Sequence, residues 1–401
     1  MLTRGFKLPD YASSLGMLAY SSCSVATPAC LVIISREMNL SFSQGGLIEV
    51  IRSALILFVL LLSGFVAAHF GKPVALSMGS ATMGVGLLLY AIAPGYASIL
   101  AAMGLAGFGG GILEGLMNPF VHETHPEGSG RYLNIVNGFW SVGVLTASIT
   151  VGQILIMGLS WRWVMGGLGV FSLIVSVVFA ICAMVGPAHE RREGVRETFG
   201  HLNGILRLPA FWLFGGAMFF AAGAEGAFTF WVSTYLQVGH GTDARLGGIG
   251  IALFAGGMMI GRFASGHLVR QENLSRLIIA SCIAGFFVSL VISFLGGLLA
   301  LYLAFFAVGL CVACLWPSIQ SFAADRLPVD SSMLFILLSC GGIPGFALVA
   351  WFIGIVSDYA GIRTAFWFVP LTFVLCAALV HVATRQEQMV ASAAEATARS
   401  E

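Results

Sequence analysis

The chain has 401 residues, of which 58% are hydrophobic and only 9% are charged. A soluble domain carries about 25% charged residues, so this composition excludes an ordinary soluble protein. It predicts instead a helical protein that crosses the membrane many times. The formal net charge is +1 and the sequence has no basic tract, which argues against a nucleic-acid-binding protein.

Twelve apolar runs follow one another along the chain, each long enough to cross a bilayer. A membrane-spanning helix needs about 20 such residues. The predicted spans are 11–35, 43–68, 73–95, 97–121, 131–158, 163–186, 211–236, 246–269, 275–296, 298–323, 332–356 and 362–384. We therefore predict an all-α membrane protein with twelve transmembrane helices.

One long connection divides these spans into two sets of six. It is charged and ends at Pro209. The fourth and tenth spans share a Gly and a Pro at the same spacing, which indicates two related halves, as in secondary transporters. We predict an N-terminal six-helix bundle, a cytoplasmic linker, a C-terminal six-helix bundle and a flexible cytoplasmic tail, at 1–187, 188–209, 210–390 and 391–401.

The Lys and Arg residues of the connections predict the orientation. With a cytoplasmic N-terminus, the connections on the outer side contain only Arg36, Arg162, Arg245 and Arg363. This bias predicts that both termini lie in the cytoplasm. The membrane that the chain crosses is predicted to be the inner membrane of the cell. We expect no cleavable signal peptide, because the first ten residues are polar and the first apolar run is long enough to span. The lack of large extramembrane domains favours a monomer.

Several stretches resemble known transporter families. GFVAAHFGKP (64–73) is similar to the signature between the second and third spans of the major facilitator superfamily, although Ala68 stands where that family has an acid. E-x-x-x-N-P-F-V from Glu114 resembles the fucose–galactose–glucose:proton symporter family. The other matching stretches are P-E-x-S-G, L-N-x-x-N, GAEGAFTFWVSTYL (223–236), CLWPSIQSFAA (314–324) and GIVSDYAGIRTAF (354–366).

The resemblance implies a function. It implies a secondary transporter that works by alternating access between two pseudo-symmetric bundles and takes up a monosaccharide or similar small polar solute with a proton. Such a protein is not an enzyme, needs no cofactor and binds its substrate, its coupling ion and membrane lipid. Two alternatives remain open: a proton-coupled exporter of drugs or apolar metabolites, and an uncoupled or sodium-coupled sugar transporter.

Glu114 is the strongest candidate for the coupling residue. Burial disfavours the charged form of a carboxyl, so a carboxyl in an apolar run can bind and release a proton near neutral pH. Asn118 and Asn137 offer the donors and acceptors that a hydroxyl-rich ligand needs. Asn137 stands where the resembled family has a sugar-binding Gln, and Trp140 can stack on the apolar face of a pyranose.

Further candidates lie in other spans. Glu225, in the seventh span, is a second candidate for coupling, and Glu49 with Arg52 is either a structural ion pair or a coupling pair that changes partner. Phe228, Trp231, Trp316 and Gln320 are candidate substrate contacts.

Three negative expectations complete the sequence analysis. The first span, taken from residue 11, contains no acid, so coupling to sodium or no coupling remains open. His122, Glu123 and His125 form an H-E-x-H sequence without the spacing of a zinc motif, and we expect a solvated loop there. The C-x-x-C of Cys311 and Cys314 has no second ligand pair, so we expect packing residues and no metal site.

Overall fold

A computed structural model describes residues 5–125, 129–185, 204–268, 271–327, 329 and 331–398 of the chain. The helices are α1 Leu8–Met38, α2 Phe42–Phe70, α3 Lys72–Ala91, α4 Tyr96–Thr124, α5 Ser129–Ile156, α6 Trp161–Val185, α7 Pro209–Thr234, α8 Ala244–Leu268, α9 Leu274–Ile292, α10 Leu298–Ala313, α11 Leu315–Arg326, α12 Ser331–Ala360, α13 Ile362–Ala365 and α14 Val369–Ala398. Within the described residues, twelve helical stretches are long and apolar enough to cross a membrane. The predicted all-α fold is therefore confirmed.

The first helix begins earlier than the apolar run predicts. It starts at Leu8, because Asp10 accepts a hydrogen bond from the Lys7 backbone nitrogen at 2.7 Å and so satisfies a free donor at the helix start. Asn39 ends the helix in the left-handed conformation (φ 52°). The consequence is that the first span does contain an acid, contrary to our expectation, and that this acid is fully buried.

Three of the predicted spans are not single α-helices. The tenth span is divided at Cys314 into α10 and α11, with Pro317 in the first turn of α11, where a missing backbone donor costs little. The seventh span continues from α7 into a π-helical turn, Tyr235–Gly239. The twelfth span is divided into α13, a 3-10 turn at Phe366–Phe368 and α14. All three irregularities lie in the second half of the sequence.

The backbone contacts group the chain into two compact units. The first contains 1–195, 228–256 and 350–365, and the second contains 196–227, 257–349 and 366–401, each within its described parts. In the first unit, α3 packs against α4 and α6, α2 packs against α4, and α1 packs against α5 and α6. In the second unit, α9 packs against α10 and α14.

The predicted bundle boundaries stay predictions, because the two contact units follow different divisions of the sequence. Residues 186–203, which include most of the predicted linker, lie outside the described residues, as do the last three residues of the predicted tail.

Candidate substrate and coupling site

An ion pair lies inside the first unit, on α2. Arg52 donates from Nη2 to Glu49 Oε1 at 2.6 Å and from Nε to Oε2 at 3.0 Å. Ser53 donates to the same carboxylate at 3.0 Å, and Arg52 Nη1 donates to Ser24 of α1 at 3.3 Å. Glu49 and Arg52 are 1% and 5% exposed, so this pair is closed to solvent and its charges compensate each other.

Glu114 of α4 lies beside this pair. The side chain of Tyr20, on α1, interacts with the Glu114 carboxyl, and the Arg52 charge also acts on it. The Tyr20 ring packs directly on α4, since a Cβ at Gly110 would lie only 2.9 Å from Tyr20 Cε2. Only glycine at position 110 allows this approach without a shift of the ring. Glu114 as a whole residue is half-buried.

Trp140 of α5 completes the group. Its ring meets the Tyr20 ring edge-on, with centroids 5.0 Å apart and planes at 70°. Tyr20, Glu49, Arg52, Glu114 and Trp140 are here called the Glu114 cluster. Because Arg52 is already paired with Glu49, the cluster has one carboxyl, that of Glu114, without a cation of its own.

The two carboxamides predicted to bind substrate are in contact with each other. Asn137 Nδ2 donates to Asn118 Oδ1 at 2.9 Å and to the Leu133 carbonyl at 2.8 Å. Asn118 lies one turn after Glu114 on α4, and Asn137 lies one turn before Trp140 on α5. Asn118 is half-buried and Asn137 is exposed. The facing surfaces of α4 and α5 therefore continue the Glu114 cluster as a polar, partly accessible strip.

The second unit contains another carboxyl with a partner. Glu225 of α7 lies 3.6 Å from Arg262 of α8, with side chains 14% and 32% exposed. The pair joins two helices of this unit, and the structure does not bring it together with the Glu114 cluster in one unit.

The aromatic candidates of α7 are buried. Trp231 is fully buried and donates from Nε1 to the Ala350 carbonyl at 2.7 Å, while Phe228 is fully buried and lies 5.6 Å from the Phe254 ring. Both side chains pack inside the described core, and their predicted role in substrate binding stays a prediction.

Trp316 and Gln320 lie one turn apart on α11, in the second unit. Gln320 Nε2 donates to Ser339 Oγ at 3.2 Å and to the Phe335 carbonyl at 3.3 Å, and the Trp316 ring packs against α12 at Gly342. Both side chains are half-buried. These contacts pack α11 against α12. The role of Trp316 and Gln320 in substrate binding stays a prediction.

The structure also reveals a pair that sequence analysis missed. His125 Nε2 lies 2.7 Å from Asp10 Oδ2, and the two residues are 7% and 0% exposed. The expectation that His125 lies in a solvated loop was therefore wrong, although His122 and Glu123 are exposed. The signal available in the sequence was a Pro-Asp pair ahead of the first apolar run, which is typical of a helix start.

A contact between α2 and α12 lies within the first unit, at the helix ends predicted to face outside. Asp358 of α12 accepts hydrogen bonds from the backbone nitrogens of Phe42 and Ser43, at 2.6 and 2.9 Å. These are free donors at the start of α2, where a carboxylate is favoured. A Cβ at Gly354 would lie 2.6 Å from the Phe42 carbonyl oxygen, so the two helices are in close contact.

We expect Asp358→Asn to weaken this contact. The Asp358 side chain is exposed, so removing its charge costs only about 1 kcal/mol. This corresponds to about a fivefold change in the equilibrium between joined and separated ends of α2 and α12. The reporter is Ile355→Cys, at a position that lines a cavity of about 360 Å³ beside the contact. A membrane-impermeant maleimide should label it about five times faster when Asp358→Asn is also present.

The control for that experiment is Tyr359→Cys. Tyr359 is 89% exposed, so its labelling rate should be fast and independent of Asp358. Equal labelling of Ile355→Cys with and without Asp358→Asn would show that the carboxylate does not hold these helix ends together.

Among the residues that the structure describes, no group of three or more His, Cys, Asp and Glu side chains is placed to hold a metal ion. The eight cysteines are present as free thiols, and Cys314 lies 3.1 Å from Ser281 Oγ.

Comparison with known proteins identifies the family. The family model described as Major Facilitator Superfamily matches residues 12–328. The chain belongs to the major facilitator superfamily. It is therefore a transporter and an integral multi-pass membrane protein, as the twelve helices require.

Curated relatives are distant. An uncharacterised MFS-type transporter of Yersinia pestis is 20% identical over 326 residues, which cover 81% of this chain and 82% of that protein. A probable multidrug-efflux transporter of Mycobacterium tuberculosis is 30% identical, but over only 121 residues, 29% of this chain and 26% of the relative.

Three solved structures share the fold. The nucleoside transporter NupG has a TM-score of 0.77 at 12% identity and covers 94% of this chain and 100% of its own. A bacterial homologue of the human lysosomal transporter Spinster, inward-facing and occupied, has a TM-score of 0.75 at 14% identity, with 94% and 96% covered. The Escherichia coli fucose:proton symporter FucP has a TM-score of 0.62 at 20% identity, with 94% and 99% covered.

Proposed function

We propose that this transporter takes up a monosaccharide or a similar small polar solute together with a proton, by alternating access. The observation that carries the proposal is the Glu114 cluster and its continuation to Asn118 and Asn137. It combines one carboxyl that has no cation of its own with donors and acceptors suited to hydroxyl groups. Trp140 adds an aromatic face on which a sugar ring can stack.

The proposed coupling follows from the charge balance of the cluster. A bare Glu114 carboxylate would place an extra negative charge beside the neutral Glu49–Arg52 pair, which is costly in a site of low dielectric. A proton on Glu114 removes that charge, and the neutral carboxyl can then donate to a sugar hydroxyl. Substrate and proton therefore favour each other's binding, and this coupling is reciprocal.

The return step requires Glu114 to lose its proton. The charge of the Arg52 guanidinium already acts on the Glu114 carboxyl. In our proposal the departure of substrate lets Glu114 share Arg52 with Glu49 while the proton leaves. Glu225 and Arg262 in the second unit are proposed to hold the corresponding helices together rather than to carry the coupling proton.

We further propose the arrangement in the cell. The chain lies in the inner membrane as a monomer, with both termini in the cytoplasm. Two six-helix bundles, 1–187 and 210–390, rock about the substrate. The distribution of Lys and Arg between connections supports this orientation.

One observation favours an exporter as the second candidate function: the partial match to a relative described as a probable multidrug-efflux transporter. In that case Trp140 and Tyr20 would contact an apolar substrate rather than a sugar. Cells that express the protein would then exclude a lipophilic dye, whereas the first proposal predicts no effect on dye retention.

Uptake into sealed vesicles tests the proposal. The purified protein is reconstituted, an inward proton gradient is imposed, and labelled hexoses are offered with and without Na⁺. We expect at least one hexose to accumulate above equilibrium, and an uncoupler to abolish the accumulation. Equilibration without accumulation would contradict proton coupling, dependence on Na⁺ would contradict the choice of ion, and no movement of any hexose would contradict the sugar proposal.

A further inference from the structure

The buried pair of Asp10 and His125 has no part in the coupling scheme above. The two side chains lie 2.7 Å apart and are removed from solvent. Asp10 Oδ1 is also buried, and it has no hydrogen-bond partner among the described residues. A buried carboxylate with an unpartnered oxygen is costly unless it has a task or a changing partner.

Both side chains are held in place by their neighbours. The Lys7 backbone nitrogen donates to Asp10 Oδ2 at 2.7 Å. The Tyr132 ring lies parallel to the His125 imidazole, with centroids 3.6 Å apart and planes at 4°. The pair is therefore a preorganised contact between the start of α1, the end of α4 and the first turns of α5.

The position of the pair relates it to the Glu114 cluster. Asp10 and Tyr20 lie ten residues apart on α1, and His125, directly after the end of α4, lies eleven residues after Glu114. At 1.5 Å per residue, each separation is roughly 15 Å along the helix. The same two helices are thus joined at two titratable contacts, one at Glu114 and one near the end predicted to face the cytoplasm.

The charged surroundings of the pair are few. Lys7, which precedes α1, donates a hydrogen bond from Nζ to the Thr124 carbonyl oxygen at 2.9 Å. The ion pair of Lys72 and Glu123 lies at the adjacent ends of α3 and α4. In the described part of α6, which also packs on α1, the single charged residue is Arg162, at the opposite end. Among the described side chains, the imidazole and the Asp10 carboxylate form an ionic contact with each other.

We propose that Asp10 and His125 form a second proton-binding site, which takes up the proton released from Glu114 and passes it to the side of the α1 N-terminus. A neutral His125 that donates its Nε2 hydrogen to Asp10 gains the second proton at Nδ1. The resulting imidazolium is compensated by the Asp10 carboxylate, and loss of the proton to solvent restores the neutral ring. This inference rests on the proposed function, because it takes Glu114 as the source of the proton.

The first test is independent of transport. The full-length protein, with ¹³C-labelled histidine, is titrated by NMR, and the His125 signal is assigned by its absence in His125→Gln. We expect that signal to change reversibly with pH in the wild type. Its midpoint should move in Asp10→Asn. A His125 ring that stays in one protonation state throughout would overturn the proposal.

The second test separates proton movement from substrate movement in vesicles. With a labelled hexose, we expect His125→Gln to lose at least fivefold in proton-driven accumulation while hexose exchange across the vesicle membrane stays near the wild-type rate. Gln keeps an amide that can donate to Asp10, which favours folding of the variant.

The matched control is His122→Gln, an exposed histidine on the same helix, which should behave as the wild type in both assays. Normal accumulation by His125→Gln would overturn the relay. A wild type that moves no hexose would contradict the proposed function instead, and the titration alone would then decide the proton site.

Discussion

Vesicles that contain Glu114→Gln are expected to exchange labelled hexose across the membrane but not to accumulate it. Gln keeps the shape of the side chain and its ability to bind a hydroxyl, yet it cannot bind and release a proton. Accumulation under an inward proton gradient should fall at least tenfold, whereas exchange without net proton movement should stay within about threefold of the wild type.

The matched control is Glu123→Gln. Glu123 lies on the same helix and is exposed, so its loss should leave both accumulation and exchange unchanged. If Glu114→Gln accumulates hexose with an unchanged dependence on pH, Glu114 does not carry the coupling proton. If it loses exchange together with accumulation, Glu114 is a substrate contact and the coupling residue lies elsewhere.

The Glu49–Arg52 pair should show the largest effects on stability. Arg52→Met leaves the Glu49 carboxylate buried without a cation, and Glu49→Leu leaves Arg52 in the same situation. Breaking one side of a buried ion pair costs about 3–5 kcal/mol, which should lower the apparent Tm of the purified protein by roughly 5 °C or more. The double variant should recover most of this loss, because it buries neither charge.

The same three variants decide whether the pair is only structural. Arg52 also acts on Glu114, so we expect the double variant to regain stability but not proton-driven accumulation of hexose. A double variant that is both stable and fully active would show that the pair only holds α1 and α2 together. Single variants as stable as the wild type would contradict the closed, buried geometry of the pair.

The sequence was sufficient to predict the spans and to single out Glu114 as a candidate, whose role in coupling stays a prediction. Runs of about 20 apolar residues fix the number of membrane helices, since the bilayer thickness sets their length. A carboxyl inside such a run stands out without any structure. The contact between Asn118 and Asn137 was not predictable, because nothing in either helix says which of its faces meets the other.

One expectation failed for an identifiable physical reason. Counting apolar residues cut the first span after Asp10, although a carboxylate at a helix start is favourable and can be buried when a histidine pairs with it. The contacts of Trp231 were not predictable from its spacing to Glu225, because its indole nitrogen bonds a backbone carbonyl that is distant in the sequence.

The most direct test of the central claim is to record the internal pH of the vesicles while hexose is added outside, with no gradient imposed. If hexose and proton enter together through Glu114, the lumen of wild-type vesicles should become acidic on addition of the transported hexose, and Glu114→Gln vesicles should show no change. Entry of labelled hexose without any change of internal pH in the wild type would contradict proton coupling at the Glu114 cluster.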